Sequence, residues 1–279
     1  MLDLLITDAA VLLPDGTVRS GQTVEIENGI IKDVRPFCGG DLAMEAQERL
    51  DGTGKLVMPG LADCHMHTGQ QLLKGKVLDA LPMIWTRIML PFESTLTDRK
   101  MELSASLAAL EMIKSGTTAF VDAGSYHMEA AAEVYVRSGL RGLLSASTMD
   151  EKGLPDSIAQ TAEEAVAQTD RLYDSYNGRG NLKVAYSLRS LISCSDELNQ
   201  KAAERAKERG AKLQAHMNEY AGEVNYFLTN KKMRPFEYLD SMGILDENFI
   251  AAHCLLLSER EKEILAERDV KVCHCPFSN

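Results

Sequence analysis

Residues 58–69, which read MPGLADCHMHTG, decide how the rest of this chain is interpreted. An apolar run ends there in two histidines one residue apart, followed by a glycine. Side chains alternate between the two faces of a β-strand, so a strand over 61–65 directs His65 and His67 to the same side. Two imidazoles on one face can hold one metal ion, although such a pair also arises by chance. The remaining sequence must show whether further ligands converge on this strand end.

Composition indicates a globular protein and excludes several function classes. The 279 residues are 45% hydrophobic and 25% charged, which suits a sizeable core. A net charge of -11 argues against a nucleic-acid surface, which is basic. The N-terminus lacks the basic segment of a signal peptide, no apolar run is long enough to span a membrane, and the six cysteines lack disulfide-framework spacing. We expect a cytoplasmic protein with reduced thiols and no nucleic-acid or membrane partner.

Two segments of different character divide the chain. Residues 1–57 read as short strands and turns, and the ENG stretch from Glu27 to Gly29 predicts a hairpin between alternating apolar residues. This segment is expected to form the N-terminal part of a small β-sandwich. Residues 58–279 are expected to form a separate, larger domain.

In the larger domain, strand-like apolar runs alternate with helical stretches. The helices have recognisable starts at Thr97, Ser195 and Ser258, and Gly116 is expected to end the first of them. This alternation predicts an α/β fold with a parallel sheet covered by helices. Seven successive units predict a TIM-type (β/α)8 barrel that is incomplete, with seven strands present. The predicted strands are 61–65, 117–122, 140–147, 182–189, 211–216, 249–253 and 270–274.

Several polar residues fall at the carboxyl ends of these strands, where β/α barrels carry their chemistry. His65 and His67 end the first strand, His216 ends the fifth and His253 ends the sixth. A single histidine there is commonly structural, but four at one barrel mouth predict a metal site. Glu219 follows in the loop after the fifth strand, where a carboxylate suits a general acid/base. The alternative is a glutamate that complements the dipole of the next helix.

Five motifs resemble the amidohydrolase superfamily, in the branch of methylthioadenosine/S-adenosylhomocysteine deaminases, guanine deaminase and triazine hydrolases. They occur in the family's order and cover essentially the whole chain. The motifs are VMPGLADCHMHTG at 57–69, LPFE at 90–93, EMIKSGTTAFVD at 111–122, LQAHMNE at 213–219 and the segment from AAHC to SN at 251–279. The resemblance implies a composite β-sandwich joined to a (β/α)8 barrel.

The resemblance also implies a mechanism and a ligand set. His65, His67 and His216 would bind one divalent metal ion, with zinc favoured and iron or manganese as alternatives. A metal-bound hydroxide would attack an amine-bearing ring carbon of a purine or related N-heterocycle. Glu219 would protonate the adjacent ring nitrogen, and His253 would orient the hydroxide or polarise the developing oxyanion. These roles describe a deaminase, a hydrolase of non-peptide carbon–nitrogen bonds.

Three further residues are candidates for substrate binding. Glu93 matches the family glutamate that binds ribose hydroxyls, and Trp85 in the same loop is expected to wall the ligand site or to be a core residue. Arg189 stands where binuclear relatives carry a lysine or glutamate metal ligand, which favours one metal ion. Ala146 and Arg189 also stand where methylthioadenosine deaminases carry substrate-binding arginine and histidine. The exact heterocycle is therefore left open, as is homo-oligomer formation.

The end of the sequence departs from the family. The family's last ligand is an aspartate in a TDG-like motif after the eighth strand, and the sequence ends before it at Asn279. We expect a chain truncated at the C-terminus, which folds poorly and deaminates little as residues 1–279 alone. Two alternatives stay open: a triazine-type chlorohydrolase or dealkylaminase, and a metal-binding scaffold without activity.

Overall fold

The computed structural model describes residues 1–77 and 84–277. Its N-terminal unit, Met1–Gly60, contains five strands that form one mixed β-sheet. Strand β1 pairs antiparallel with β2 and parallel with β4 and β5, and β3 pairs antiparallel with β2. The β2–β3 connection is the hairpin that the ENG stretch predicts. The strands are β1 (Leu2–Leu12), β2 (Val18–Glu27), β3 (Ile30–Pro36), β4 (Ala46–Asp51) and β5 (Leu56–Val57).

Parallel strands form the second unit, Leu61–Asn279. They lie in two four-stranded sheets, ordered β6-β7-β8-β9 and β10-β11-β12-β13, and all their pairings are parallel. The prediction of an α/β fold with parallel strands is confirmed. The strands are β6 (Leu61–Met66), β7 (Thr117–Asp122), β8 (Arg141–Leu144), β9 (Leu182–Val184), β10 (Tyr186–Leu188), β11 (Leu213–Met217), β12 (Phe249–His253) and β13 (Lys271–His274).

The predicted fourth strand, 182–189, is divided into β9 and β10 at Ala185. The backbone changes partner at this residue: the Ala185 amide donates to the Leu144 carbonyl at 2.8 Å, and the next amide, that of Tyr186, donates to the Lys212 carbonyl at 2.9 Å. Residues 182–188 therefore run from the last strand of one parallel sheet, β9, into the first strand of the other, β10. The strands of both sheets follow their order along the chain.

Helices connect the strands and cover them. Thr97, Ser195 and Ser258 accept hydrogen bonds from the first turns of α2, α5 and α8, as their positions predict, and Gly116 ends α2. The helices are α1 (Leu90–Glu93), α2 (Asp98–Ser115), α3 (Met128–Ser138), α4 (Ala162–Tyr176), α5 (Asp196–Glu208), α6 (Ala221–Asn230), α7 (Pro235–Ser241) and α8 (Glu259–Glu267). Single turns of 3-10 helix (Gly39–Ala43 and Thr68–Leu73) and of π-helix (Trp85–Met89) add to these.

Two apolar clusters hold helices against the parallel strands. One contains Phe249 and Leu213 together with side chains of α5, α7 and α8. The other contains Phe120 and Tyr135 together with side chains of α2 and α4. Phe249 is fully buried, and burial of such a side chain contributes about 1.5–3 kcal/mol. These clusters fix the strands whose carboxyl ends carry the candidate site.

None of the described helices has the length and apolar character that crossing a membrane requires. The six cysteines, all within the described part of the chain, form no disulfide.

Candidate metal and catalytic site

Three histidines meet at the carboxyl ends of β6 and β11. One ligand nitrogen from each of His65, His67 and His216 lies within 4.8 Å of the other two, and the Nε2 atoms of His67 and His216 are 3.1 Å apart. His65 and His67 share a face because one residue separates them at the end of a strand. Imidazole nitrogens are preferred ligands of zinc and similar divalent ions. This donor set therefore fits a single divalent metal ion.

Burial keeps these imidazoles in the form that binds metal. It lowers the pKa of His65 to about 3 and holds the pKa values of His67 and His216 well below the usual range for histidine. The positive charge of Arg189 lowers all three further. Neutral histidines carry a nitrogen lone pair at pH 7, so no proton must leave before a cation binds.

The backbone carbonyl of Gly124 lies beside His67 and Arg189. It accepts a hydrogen bond from Arg189 Nη1 at 3.0 Å, and its interaction with the His67 ring offsets part of the lowering of the His67 pKa. The arginine nitrogen itself lies 3.1 Å from His67 Nδ1. Gly124 has a φ of 96°, and a Cβ there would lie 2.7 Å from the Ala146 carbonyl oxygen, so only glycine fits. Nδ1 of His67 thus lies beside the guanidinium, and Nε2 is the His67 nitrogen that faces His216.

A buried ion pair links two of the predicted substrate-binding residues. Arg189 Nη2 donates to Glu93 Oε1 at 3.0 Å, and both side chains are almost fully buried. Gln70 Nε2 donates to the same oxygen at 2.6 Å. The other carboxylate oxygen of Glu93 has no hydrogen-bond partner among the described residues.

Trp85 stands beside this ion pair. Its ring centroid is 5.9 Å from the Arg189 guanidinium carbon. The indole packs against an apolar cluster that includes Tyr126 and Met149. An aromatic wall next to a buried guanidinium suits a flat heterocycle, so the role predicted for Trp85 agrees with its position and stays a prediction.

Glu219 and His253 lie next to the three histidines. His253 Nε2 is 3.8 Å from Glu219 Oε1, and the His253 ring centroid is 4.8 Å from that of His65. His65 belongs to β6 and His253 to β12, so the strand series curves enough to bring members of different sheets together. His253 and Cys254 both have left-handed φ values, of 69° and 54°. Strained backbone of this kind is frequent at functional sites.

A second carboxylate supports Glu219 from α6. Glu223 Oε2 accepts a hydrogen bond from the Glu219 amide at 2.9 Å. Glu223 is almost completely buried, and this burial raises its pKa to about 7. Its carboxylate therefore holds the loop that follows His216.

The structure brings together all eight residues that the sequence indicates for the site and adds others. Gln70, Gly124 and Glu223 were not predicted. The signals for two of them are local: Gln70 follows His67 by three residues, and Glu223 follows Glu219 by four. Gly69 also belongs here, because a Cβ at that position would lie 2.1 Å from Ser125 Oγ. Only glycine therefore fits at position 69, two residues after His67.

Comparison with known proteins identifies the family of this chain. The family model described as Amidohydrolase family matches residues 56–279. The chain belongs to the amidohydrolase family. This amidohydrolase is 35% identical over 286 residues to 5'-deoxyadenosine deaminase of Methanothermobacter thermautotrophicus, covering 99% of this chain and 63% of that protein. It is 31% identical over 280 residues to 5-methylthioadenosine/S-adenosylhomocysteine deaminase of Aquifex aeolicus, covering 99% and 62%.

A solved structure agrees with the sequence relatives. An adenosine deaminase from Xanthomonas campestris, crystallised with bound zinc, superposes with a TM-score of 0.92 at 28% identity, covering 100% of this chain and 63% of that one. The chain thus spans about three fifths of the length of the proteins it matches. The resemblance that the five motifs carry is confirmed at the level of the family.

Proposed function

We propose that this amidohydrolase is part of a metal-dependent deaminase that removes an amino group from a ring carbon of a purine or related N-heterocycle. The observation that carries the proposal is the convergence of three neutral histidines at the ends of β6 and β11, with Glu219 and His253 beside them. The relatives named as deaminases of adenosine-like compounds support the same reaction.

The domain assignment belongs to this proposal. Residues 1–57 are assigned to the N-terminal part of a β-sandwich, and residues 58–279 to a (β/α)8 barrel that lacks its last unit. The parallel order of seven strand positions, with β9 and β10 counted as one, supports the barrel. The family likeness supports the sandwich. The assignment to the cytoplasm rests on the unpaired state of the cysteines. Homo-oligomer formation stays open.

His65, His67 and His216 would hold one divalent ion, with zinc first and iron or manganese as alternatives. Such an ion supplies Lewis acidity that activates water at neutral pH. The protein's own contribution is to keep three imidazoles neutral and to place the Nε2 atoms of His67 and His216 3.1 Å apart. No second ion is assigned, because Arg189 brings a positive charge to this edge of the sheet.

Glu219 would act as the general acid/base of the reaction. Its carboxylate lies in a loop beside the histidine cluster, anchored by the bond from its own amide to Glu223. From there it would take a proton from the attacking water and give it to the ring nitrogen next to the reacting carbon, which makes that carbon a better electrophile. It would then pass the proton of the added hydroxyl group to the departing amine, which leaves as ammonia from a ring carbonyl. His253, 3.8 Å from Glu219, would stabilise the oxygen that is added to the ring.

Glu93, Arg189 and Trp85 would bind the substrate. Glu93 matches the family glutamate that binds ribose hydroxyls, which favours a substrate with hydroxyl donors, such as the sugar of an adenosine-like compound. A purine with a ring carbonyl, such as guanine, is a second candidate. Arg189 and Gln70 favour it, because both offer hydrogen-bond donors beside the aromatic wall.

A substrate panel tests the proposal. The zinc-loaded protein is incubated with 5'-deoxyadenosine, adenosine, guanine and a chlorinated triazine, and ammonia and chloride are measured. Ammonia release from a purine, abolished in His67→Ala, is the expected result. Chloride release without ammonia would make the protein a chlorohydrolase. One bound zinc per chain without any release would make it a scaffold.

A further inference from the structure

The buried carboxylate of Asp122, outside the predicted site, accepts hydrogen bonds from the residue that follows the ligand candidate His67. Asp122, the last residue of β7, accepts hydrogen bonds through Oδ2 from the Thr68 amide, at 3.2 Å, and from the Thr68 hydroxyl. Its other oxygen, Oδ1, accepts from the Gly124 amide at 2.8 Å. Asp122 and Thr68 are completely or almost completely inaccessible to solvent. The proposed reaction uses neither residue.

We propose that Asp122 and Thr68 are positioning residues that set the geometry of the metal site through His67. Thr68 follows His67 directly, so the bonds to Asp122 fix the backbone that carries this ligand. Gly124, held by the same carboxylate, accepts at its carbonyl from Arg189 Nη1 at 3.0 Å, and that nitrogen lies 3.1 Å from His67 Nδ1. The Asp122 side chain thereby acts on both the backbone next to His67 and the groups beside its ring.

The bonds of Asp122 add to a backbone pairing of β6 that is irregular before the ligand. The register between β6 and β7 is irregular, with a shift between Asp63 and Met66 just before the ligand. Only β7 pairs with β6 among the described strands. The ladder resumes at Met66, which pairs with Asp122, and the side-chain bonds of Asp122 extend this contact by two residues to Thr68.

The same carboxylate residue is tied to the strand of the third ligand. Gln214 of β11 donates from Nε2 to the Asp122 carbonyl at 2.8 Å, and Gln214 lies two residues before His216. Around Thr68, the Tyr135 hydroxyl lies 2.7 Å from Thr68 Oγ1, and Ser104 donates to the Thr68 carbonyl at 2.6 Å. Asp122 therefore joins β6 and β11, the two strands that carry the ligand set, through its side chain and its backbone respectively.

The inference rests on the proposed metal site, so its test begins with metal binding and not with turnover. Thr68→Val removes the hydroxyl and keeps the side-chain volume, Thr68→Ser restores the hydroxyl, and Asp122→Asn replaces one acceptor by a donor. The matched control is Thr169→Val, because Thr169 is equally buried but lies in α4, where its hydroxyl donates to the Ala165 carbonyl. Chelator competition measures the Zn²⁺ dissociation constant, and the visible spectrum of the Co²⁺-loaded protein reports ligand geometry.

We expect about 10–100-fold weaker Zn²⁺ binding and an altered Co²⁺ spectrum in Thr68→Val and Asp122→Asn, as when hydrogen-bond partners of metal-binding histidines are removed. Thr68→Ser and Thr169→Val should bind like the original protein. Unchanged binding and spectrum in a folded Thr68→Val would overturn the inference, as would equal weakening in Thr169→Val or failure of Thr68→Val to fold. Absence of metal from the original protein would instead overturn the proposed metal site.

Discussion

Strands β6 and β11 both deliver metal-ligand candidates, but they are held in place by different means. Every residue of β11 is buried, and the strand pairs with β10 on one side and β12 on the other. In β6, Leu61 is 51% exposed, and only β7 pairs with this strand among the described residues. His216 is therefore positioned by apolar packing and a regular sheet. His65 and His67 depend on polar contacts at the strand end.

After each of the two strands, however, a buried carboxylate accepts a hydrogen bond from a backbone amide of the following loop. Asp122 accepts from the amide that follows His67, and Glu223 accepts from the Glu219 amide, three residues after His216. The contrast between the strands indicates which substitutions should affect stability and which should affect metal binding. Damage to the core should act on β11 through stability, whereas loss of single hydrogen bonds should act on β6 through metal binding.

The largest effect is expected when one ligand is removed from either strand. His67→Ala and His216→Ala should both abolish metal binding and ammonia release, because two imidazoles cannot complete a site that needs at least three protein ligands. His127→Ala, which removes a surface histidine paired with Asp98, is the control and should change neither quantity. Metal analysis and an ammonia assay make the comparison. Activity that persists in one of the two variants would show that only one strand serves the metal.

The next effect separates chemistry from metal binding at the end of β11. Glu219→Gln keeps the size of the side chain but cannot transfer the proton, so turnover should fall by about 10²–10⁴-fold. The metal content should stay as in the original protein. Glu263→Gln changes an exposed glutamate of α8 and should leave turnover as it was. Loss of metal in Glu219→Gln would mean that this residue is itself a ligand.

Core truncations should distinguish the two strands by stability. Leu213 of β11 is buried, and Leu213→Ala should lower the free energy of unfolding by about 2–5 kcal/mol. Leu61 of β6 is half exposed, and Leu61→Ala should lower it by no more than about 0.5 kcal/mol. Urea titrations of the metal-free proteins measure both. Similar losses in the two variants would contradict the contrast in packing.

The smallest effect concerns pH. The pKa of Glu223 rises from an ordinary 4.5 to about 7 in the folded protein because the carboxyl group is buried. Its contribution to stability is therefore fully present below pH 4.5 and is lost as pH rises through 7. Glu223→Gln removes this penalty, so its stability relative to the original protein should increase between pH 5 and pH 8, by on the order of 2–3 kcal/mol.

Thermal melting at several pH values tests this expectation. Glu247→Gln, at an exposed position, is the control. A difference between Glu223→Gln and the original protein that does not change with pH would show that the carboxyl group is not protonated in the folded state.

Sequence reasoning reached the parts of this site that depend on local periodicity. Strand alternation predicted that His65 and His67 share a face, and the parallel order of strands predicted that His216 and His253 would join them. Helix starts at Thr97, Ser195 and Ser258 were equally readable, because one hydroxyl and one nearby amide define each of them.

The contacts that could not be predicted join residues far apart along the chain. Asp122 and Thr68 are separated by 54 positions, and Arg189 and Glu93 by 96. No periodicity encodes such pairs, because they depend on how strand ends come together. The break of the fourth strand at Ala185 was missed for a related reason: it arises where the backbone exchanges β8 for β11 as its partner.

Anomalous diffraction at the zinc absorption edge, from crystals of the zinc-loaded protein, tests the central claim most directly. The account predicts one strong peak per chain, about 2.0–2.1 Å from a ring nitrogen of each of His65, His67 and His216. A peak bound elsewhere, for example by Cys273 and Cys275, or no peak in protein that contains zinc, would contradict it.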